Sequence, residues 1–282
     1  MVTEFDVEVP AGKLHAYDTG PTGRDDELVV VWHHGTPNLG LPPEPLFPVS
    51  EPLGIRWVSY DRPGYGGSTP RPDRDVASAA ADVAHLADAL GVERFAVVGH
   101  SGGGPHALAC AVLLPGRVTA VVTGSMLAPF GAEGLDWFAG MAPAAEASLR
   151  AAVAGRVAKE AHAAAAPAED ADIGFVAADW EALAGDWSWF GSVVEPAMAA
   201  GPAPLVDDDL AYVAPWGFDP AEMAVPVLVL HGGADRMVPP AHAVWLAAHM
   251  PGAELQIHEG EGHVSVLRHA PQALEWLRSR AS

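Results

Sequence analysis

Residues 99–103, Gly-His-Ser-Gly-Gly, form a G-x-S-x-G motif, whose residue types suit nucleophilic catalysis. The motif follows the continuous apolar run RFAVVGH and precedes a stretch with helical spacing. In such a strand–turn–helix context the serine lies on a sharp turn, and the flanking glycines let neighbouring backbone approach closely. The motif therefore predicts that Ser101 is a catalytic nucleophile. The alternative is a purely structural glycine-rich turn between a strand and a helix.

A serine hydroxyl needs a base to take its proton, and the chain offers 13 histidines. His263 lies in a glycine-bracketed loop directly after the last predicted strand. Catalytic loops gather at strand ends in open α/β sheets, so we predict His263 as the base. His258 within that strand, His269 on the helix side, and His100 and His106 beside the serine are interpreted as structural.

The base in turn needs a carboxylate that orients it and stabilises the imidazolium. Asp235 follows the apolar run VLVLHGGA and precedes His263 by 28 residues, which is enough for one helix and one strand. The end of the preceding run, RVTAVVTGSM, offers no acid. We therefore predict Asp235 as the acid, with a solvated loop aspartate as the alternative.

The elements that must position these residues alternate between strand and helix patterns. Near the start, TEFDVEVP and KLHAYDTG alternate apolar and polar residues, which predicts an antiparallel hairpin joined at Ala11-Gly12. Later runs are continuously apolar, as in strands buried on both faces of a parallel sheet. The stretch DVASAAADVAHLADALG has helical spacing, with Asp75 and Gly91 at its ends. Strand, helix and strand in this order predict the α/β class with a mostly parallel sheet.

Strand patterns stop between residues 126 and 217. This stretch contains alanine-rich helical sequence with prolines at 143, 167, 196, 202 and 204. We therefore predict one α/β core, residues 1–125 and 218–282, interrupted by a helical cap of residues 126–217.

The predicted cap is rich in tryptophan and in acid. It holds five of the nine tryptophans: Trp137, Trp180, Trp187, Trp189 and Trp216. They either line an apolar substrate pocket or pack the cap onto the core. The cap also carries 14 acidic and three basic residues, which either attract a cationic substrate group or form a solvated face. The run Asp207-Asp208-Asp209 is interpreted as an exposed helix start or loop.

The composition limits the class of partner. Fifteen basic against 36 acidic residues give a net charge of −21, which argues against nucleic acid and anionic membranes. No window approaches about 18 uninterrupted apolar residues, and the first residues lack signal-peptide character. The single cysteine, Cys110, cannot form an internal disulfide. We predict a cytoplasmic protein that acts on a small molecule, and its oligomeric state is left open.

A metal site is not expected. His33 and His34 are adjacent, and adjacent residues on a strand point to opposite faces, so the two cannot chelate one ion. No cofactor is predicted either.

Taken together, the motifs resemble the α/β-hydrolase superfamily, in which the order is serine, acid, histidine. The segment from His34 to Pro37 is similar to the family's HGxP oxyanion loop, and DRPGYGGS, HGGADRMVP and GEGHVS are similar to three further family loops. The resemblance implies an α/β-hydrolase fold with a helical cap inserted after strand 6. It also implies an oxyanion hole formed by the backbone N–H groups of Thr36 and Gly102, so the Thr36 side chain is expected to be free to vary.

The resemblance extends to the branch that contains esterases and proline iminopeptidases, and it implies a serine hydrolase acting on a small ester or related acyl substrate. Alternatives are a proline-iminopeptidase-like aminopeptidase, a carbon–carbon bond hydrolase, a cofactor-free perhydrolase and a non-catalytic ligand receptor. The HGGPG loop of the iminopeptidases is replaced here by HHGTPNLG. Epoxide hydrolases and haloalkane dehalogenases use an aspartate nucleophile, so Ser101 argues against both.

Overall fold

The structure is a computed structural model that describes residues 2–165 and 171–281. The predicted helix break at Pro167 lies outside these residues. Eight strands form one sheet: β1 (Thr3–Val9), β2 (Gly12–Asp18), β3 (Leu28–His33), β4 (Ile55–Tyr60), β5 (Phe95–His100), β6 (Val118–Gly124), β7 (Val227–Gly232) and β8 (Glu254–His258). Their order across the sheet is β1-β2-β4-β3-β5-β6-β7-β8. β2 runs antiparallel to β1 and β4, and the remaining pairs are parallel.

The hairpin at the start forms as predicted, although its turn lies one residue earlier, at Pro10-Ala11. Gly12 already belongs to β2 and has a positive φ of 123°. A Cβ atom at this position would lie 2.5 Å from Oγ1 of Thr69. Both facts restrict the position to glycine.

In the described part of the chain, ten α-helices accompany the sheet: α1 (Phe47–Ser50), α2 (Ser78–Ala89), α3 (Gly103–Leu113), α4 (Pro143–Val153), α5 (Arg156–Ala164), α6 (Ala177–Ala184), α7 (Phe190–Ala197), α8 (Ala203–Val213), α9 (Ala241–His249) and α10 (Ala270–Arg280). The predicted helix between β4 and β5 is α2, where Asp75 accepts a hydrogen bond from the N–H of Ser78 at 2.8 Å. Gly91, with a φ of 66°, follows its end.

The central strands are buried on both faces because their side chains alternate between two apolar layers. Val31, Val97 and Val121 pack in the layer that contains α2, α3 and α9. Val30, Val98 and Val122 pack in the other layer, which contains α10. These layers hold the carboxyl ends of β5, β7 and β8 side by side, and the loops that carry Ser101, Asp235 and His263 leave from these ends.

Helices follow β6, in the stretch for which the sequence predicts a cap. The described part of residues 126–217 contains the five helices α4 to α8 and no strand. Within residues 2–165 and 171–281, none of the helices combines the length and hydrophobicity needed to span a bilayer.

Candidate active site

Ser101 lies on a tight turn between β5 and α3, with a positive φ of 53°. Its N–H donates to the carbonyl oxygen of Gly124 at 2.8 Å. A Cβ atom on Gly99 would lie 2.5 Å from the carbonyl oxygen of Gly103, and one on Gly103 would lie 1.9 Å from that of His33. The glycines of the motif are therefore required by close backbone approach, and the strained turn projects the serine from the end of the sheet.

The structure brings Ser101, His263 and Asp235 together into one hydrogen-bonded chain. Nε2 of His263 lies 2.8 Å from Oγ of Ser101, and Nδ1 lies 2.9 Å from Oδ2 of Asp235. The backbone N–H groups of Met237 and Val238 donate to Oδ1 of Asp235, each at 2.9 Å. The second carboxylate oxygen therefore faces the histidine in a fixed direction.

The charges of this chain are set by burial and by mutual contact. Burial alone would raise the pKa of Asp235, but His263 and, more weakly, His231 and the N–H of Val238 hold it below its usual range. Burial opposes the charged form of His263, but Asp235 and, more weakly, Asp179 raise its pKa above the usual value. An ionised aspartate and a histidine that readily takes a proton are the states that activation of a serine hydroxyl requires.

Thr36 and Gly102 lie beside each other and, together with Ser101, line a cavity. A Cβ atom on Gly102 would lie 2.4 Å from Oγ1 of Thr36, so the two loops meet closely here. Among the described residues, we find no acceptor for the backbone N–H of either residue. Both donors are thus available to a ligand next to the serine.

The Thr36 side chain is not free to vary, contrary to what the resemblance implies. Its Oγ1 donates to Oδ2 of Asp208 at 2.5 Å and lies 2.7 Å from Oη of Tyr212. It also accepts a hydrogen bond from Arg62 at 2.9 Å. A role for the backbone N–H alone would leave the side chain free, but the hydroxyl ties the loop after β3 to helix α8.

The interpretation of Asp207-Asp208-Asp209 as an exposed helix start or loop was wrong. All three residues are buried within α8, and each pairs with a base. Asp208 is fully buried and binds Arg62 at 2.7 Å and Arg74 at 2.6 Å. Burial would raise the pKa of Asp208, but the two guanidinium groups hold it well below its usual range. Three of the 14 acids in the cap therefore bind bases and are not part of a solvated face.

The other two acids of this run bind bases of α5. Asp207 binds Arg156 at 2.8 Å, and Asp209 binds the fully buried Lys159. In this way three of the acids in the cap are neutralised by bases within 4 Å.

Asp179 is a site residue that the sequence analysis missed. It is buried near the start of α6, where it accepts the N–H of Val176 at 3.0 Å. It also accepts the N–H groups of Val264 and Ser265, each at 2.8 Å, and that of His263 at 3.2 Å. One cap carboxylate thereby holds the loop that carries the histidine. The only local signal is the position of an acid at the third residue of a helix, which is typical of capping.

The other histidines pack or form hydrogen bonds, as interpreted. His100 lies 2.9 Å from the carbonyl oxygen of His263, and His106 lies 2.8 Å from that of Gly102. His258 stacks on His269 with ring centroids 3.5 Å apart. Within the part of the chain that the structure describes, no group of three or more His, Cys, Asp or Glu side chains could hold a metal ion.

Two cavities meet at Ser101 and share Thr36, Ile173 and Met237. We call the larger one, of about 430 Å³, the α7 lobe, and the smaller one, of about 310 Å³, the α8 lobe. The α7 lobe is lined mainly by apolar side chains, including Phe175, Leu183, Phe190 and Val194. The α8 lobe combines apolar side chains with Ser148, Asp209 and Tyr212.

None of the five cap tryptophans lines either lobe. Trp137, Trp187 and Trp216 are buried in the apolar layers, and Trp180 is 55% exposed. Trp189 lines a separate groove near Trp57. Of the two interpretations of these residues, packing is therefore the one that the structure supports.

Comparison with known proteins places this site in a family. A profile of the family described as alpha/beta hydrolase fold matches residues 29–270. The chain is 40% identical over 116 residues to a non-heme chloroperoxidase of Streptomyces lividans, which is 40% of each protein. It is 35% identical over 126 residues to a serine hydrolase-like protein of Danio rerio, covering 43% of this chain and 36% of that protein.

A third relative, epoxide hydrolase B of Mycobacterium tuberculosis, is 32% identical over 126 residues, which is 44% of this chain and 35% of that protein. These matches span 35% to 40% of the length of the curated relatives. They connect the chain to hydrolases and haloperoxidases of this fold.

Solved structures show the same fold over nearly the whole chain. A thermophilic esterase from Thermogutta terrifontis superposes with a TM-score of 0.68 at 21% identity, covering 99% of this chain and 100% of that one. A bromoperoxidase from Bacillus anthracis superposes with a TM-score of 0.70 at 21% identity, covering 98% of both chains. With the profile match covering most of its length, the chain belongs to the alpha/beta hydrolase fold family.

Proposed function

We propose that this protein is a serine hydrolase that cleaves a small ester or related acyl substrate through an acyl-enzyme intermediate. The observation that carries the proposal is the hydrogen-bonded chain from Ser101 through His263 to Asp235, which opens onto two cavities. In this proposal the small molecule binds between the core and the cap of residues 126–217.

Acylation follows from the positions of these atoms. Oγ of Ser101 attacks the ester carbonyl carbon while Nε2 of His263 takes the hydroxyl proton. Asp235 holds Nδ1 and stabilises the imidazolium that forms. The N–H groups of Thr36 and Gly102 donate to the oxyanion, and each such donor contributes about 3 kcal/mol to the transition state. The imidazolium then gives its proton to the leaving alcohol.

Deacylation repeats these steps with water. His263 takes a proton from a water molecule, whose oxygen attacks the acyl carbon of the Ser101 ester. The carboxylic acid leaves, and the proton returns to Oγ of Ser101. The same residues therefore serve both half-reactions.

The first experiment measures hydrolysis of p-nitrophenyl esters of graded chain length beside prolyl and alanyl naphthylamides. We expect ester turnover that Ser101→Ala abolishes, and covalent labelling of Ser101 by a fluorophosphonate. The matched control is Ser192→Ala, an exposed serine on α7, which should leave turnover unchanged.

Each other outcome points to a different function. Turnover of the naphthylamides without turnover of the esters would replace the proposal with an aminopeptidase. No turnover and no labelling of Ser101 would point to a ligand receptor.

A second candidate is perhydrolysis, in which hydrogen peroxide replaces water in deacylation. It is favoured by the similarity to the protein named non-heme chloroperoxidase. A carboxylic acid first acylates Ser101 with loss of water, and peroxide then releases the peracid. Peracid formation from acetate and peroxide that exceeds ester hydrolysis, and is lost in Ser101→Ala, would favour this candidate. The relative named epoxide hydrolase B does not favour an epoxide substrate, since the nucleophile position holds Ser101.

A further inference from the structure

The α8 lobe contains a buried charged group that the proposed reaction does not use. Asp209 lines this lobe, and its side chain is 11% exposed. Its Oδ2 accepts hydrogen bonds from Lys159 and, at 3.2 Å, from the hydroxyl of Ser148. Among the described residues, the partners of Asp209 are all on Oδ2, so Oδ1 has no donor, and it keeps some exposure. A carboxylate oxygen beside a cavity and without a protein donor is an acceptor for a ligand.

Lys159 determines which kind of hydrogen-bond donor Oδ1 of Asp209 favours. Its side chain is fully buried, and Nζ is held by Asp209, by the hydroxyl of Ser148 at 2.6 Å and by the carbonyl oxygen of Ser148 at 3.4 Å. The ion pair has no net charge. The neighbouring acids of α8 are likewise neutralised, because Asp208 binds two arginines and Asp207 binds a third.

An ammonium group would therefore enter a lobe without net negative charge and would lose its hydration for one hydrogen bond. A neutral amide N–H or hydroxyl loses much less hydration and gains a charge-assisted hydrogen bond. The electrostatics of the lobe favour the neutral donor.

The position of the lobe fixes which part of the substrate it contacts. Both lobes reach Ser101, so a carbonyl bound there can extend one substituent into each. The α7 lobe offers mainly apolar contacts, with Asn38 and the exposed Glu195 among its polar lining residues. The two lobes therefore suit a substrate with one apolar arm and one arm that carries a hydrogen-bond donor.

We propose that the α8 lobe is a specificity subsite in which Oδ1 of Asp209 accepts a hydrogen bond from a neutral amide N–H or hydroxyl of the substrate. The substrate class is an acyl ester that carries such a donor on one arm and an apolar chain on the other. This inference rests on the proposed serine-hydrolase function.

The test compares substrates that differ in one group. For the acyl arm, N-acetylalanine methyl ester is compared with the analogue in which CH₂ replaces the amide N–H, and with alanine methyl ester, which bears an ammonium group. For the alcohol arm, 2-hydroxyethyl butyrate is compared with propyl butyrate. Assays near pH 7, below the usual α-amino pKa of about 7.7–8.0, keep most of the alanine methyl ester in its ammonium form. In at least one arm we expect kcat/KM for the neutral donor to exceed that of its donor-free partner by about ten- to hundred-fold.

The variant removes the acceptor without leaving a buried charge. In the double variant Lys159→Met/Asp209→Leu, apolar side chains replace the ion pair, an exchange that buried pairs often tolerate without loss of stability. We expect the ratio of kcat/KM for the donor ester to that for the donor-free ester to fall to about onefold. The matched control is Glu195→Gln, which changes an acid in the α7 lobe and should keep the preference.

Equal turnover of donor and donor-free esters by the wild type in both arms would overturn the inference, as would a preference for the ammonium ester. So would a preference that survives in the double variant.

A binding measurement separates this inference from the proposed function. Calorimetry on Ser101→Ala should show that the amide ester binds about tenfold more tightly than its CH₂ analogue, and that the double variant removes the difference. If no ester is turned over but this difference is present, the reaction is wrong and the subsite stands. If esters are turned over through Ser101 without the difference, the subsite is wrong and the reaction stands.

Discussion

The carboxylate of Asp179, on cap helix α6, accepts a hydrogen bond from the backbone N–H of His263 at 3.2 Å. The next two N–H groups of the loop bind the same carboxylate. A Cβ atom on Gly262 would lie 2.1 Å from Oδ2 of Asp179, which explains the glycine before the histidine. The cap therefore positions the proposed base, and a buried negative charge lies behind it.

Asp179→Asn should move the acidic limb of the pH profile of kcat/KM to lower pH. The base acts in its neutral form, so activity falls as the pH drops through the pKa of His263. That pKa is raised, which places the wild-type limb above about 6.5. Removal of the Asp179 charge lowers the pKa of His263 and shifts the limb downward. Asparagine keeps one acceptor oxygen for the loop.

Glu181→Gln is the control, because Glu181 lies on the same helix and is exposed. Its profile should match the wild type. A purely structural role of Asp179 would lower activity at every pH without moving the limb, and this result would contradict the electrostatic role.

Thr36→Val should lower kcat/KM about tenfold, although the proposed oxyanion donor is a backbone group. Valine keeps the shape of the side chain but loses the hydrogen bonds to Asp208, Tyr212 and Arg62 that hold the loop. Thr36→Ser keeps the hydroxyl and should retain most of the activity. Equal activity of the two variants in steady-state ester hydrolysis would mean that the hydroxyl does not position the loop.

Asp208→Asn should lower the free energy of unfolding by about 3–5 kcal/mol, measured by urea denaturation. The change leaves Arg62 and Arg74 buried without a counter-charge, and uncompensated buried charges are strongly destabilising. Asp186→Asn, an exposed change in the same cap, should have an effect within about 0.5 kcal/mol. A loss of similar size for both variants would show that Asp208 is no more important than a surface residue.

The free energy of unfolding should fall steeply as the pH drops below about 6.5. Burial lowers the pKa of six of the buried histidines: His33 and His100 to about 3, His242 to about 4, and His34, His106 and His231 in the same direction. Below pH 6.5 the unfolded chain binds protons that the folded chain does not. Each of these histidines then lowers the free energy of unfolding by about 1.4 kcal/mol for each pH unit.

Urea denaturation between mildly alkaline pH and about pH 5 measures this dependence. His33→Leu should reduce the slope by about one proton, whereas His85→Gln, an exposed change, should not alter it. A free energy that stays constant over this range would rule out the neutral buried state of these histidines.

The strands and the serine motif were predictable because their signals are local. Continuous apolar runs predicted the central strands, since burial on both faces leaves no exposed position in β3 or β5. Close backbone approach imposes glycine around Ser101, so the turn could be identified within five residues. The proximity of Asp235 and His263 followed from the rule that strand ends share one edge of the sheet.

The contacts across the cap could not be predicted in this way. Asp208 and Arg62 are 146 residues apart, and nothing near either residue indicates its partner. A run of three aspartates has the same composition whether it faces water or a set of buried bases, and the commoner of these environments is water. Asp179 was missed for the same reason. Its hydrogen-bond donors are backbone N–H groups, which no side-chain pattern in the sequence indicates.

The ion pair of Arg62 and Asp208 also makes the cap and the core dependent on each other during folding. Arg62 comes from the loop after β4, yet its counter-charge is synthesised much later, on α8. A folding intermediate with a folded core and an unfolded cap would have to leave the guanidinium group of Arg62 in water. The loop that carries Arg62 would then remain exposed to water as well. The two parts should therefore fold in a single cooperative transition. A cap transplanted from another family member would fold on this core only if it supplies an acid at the same place.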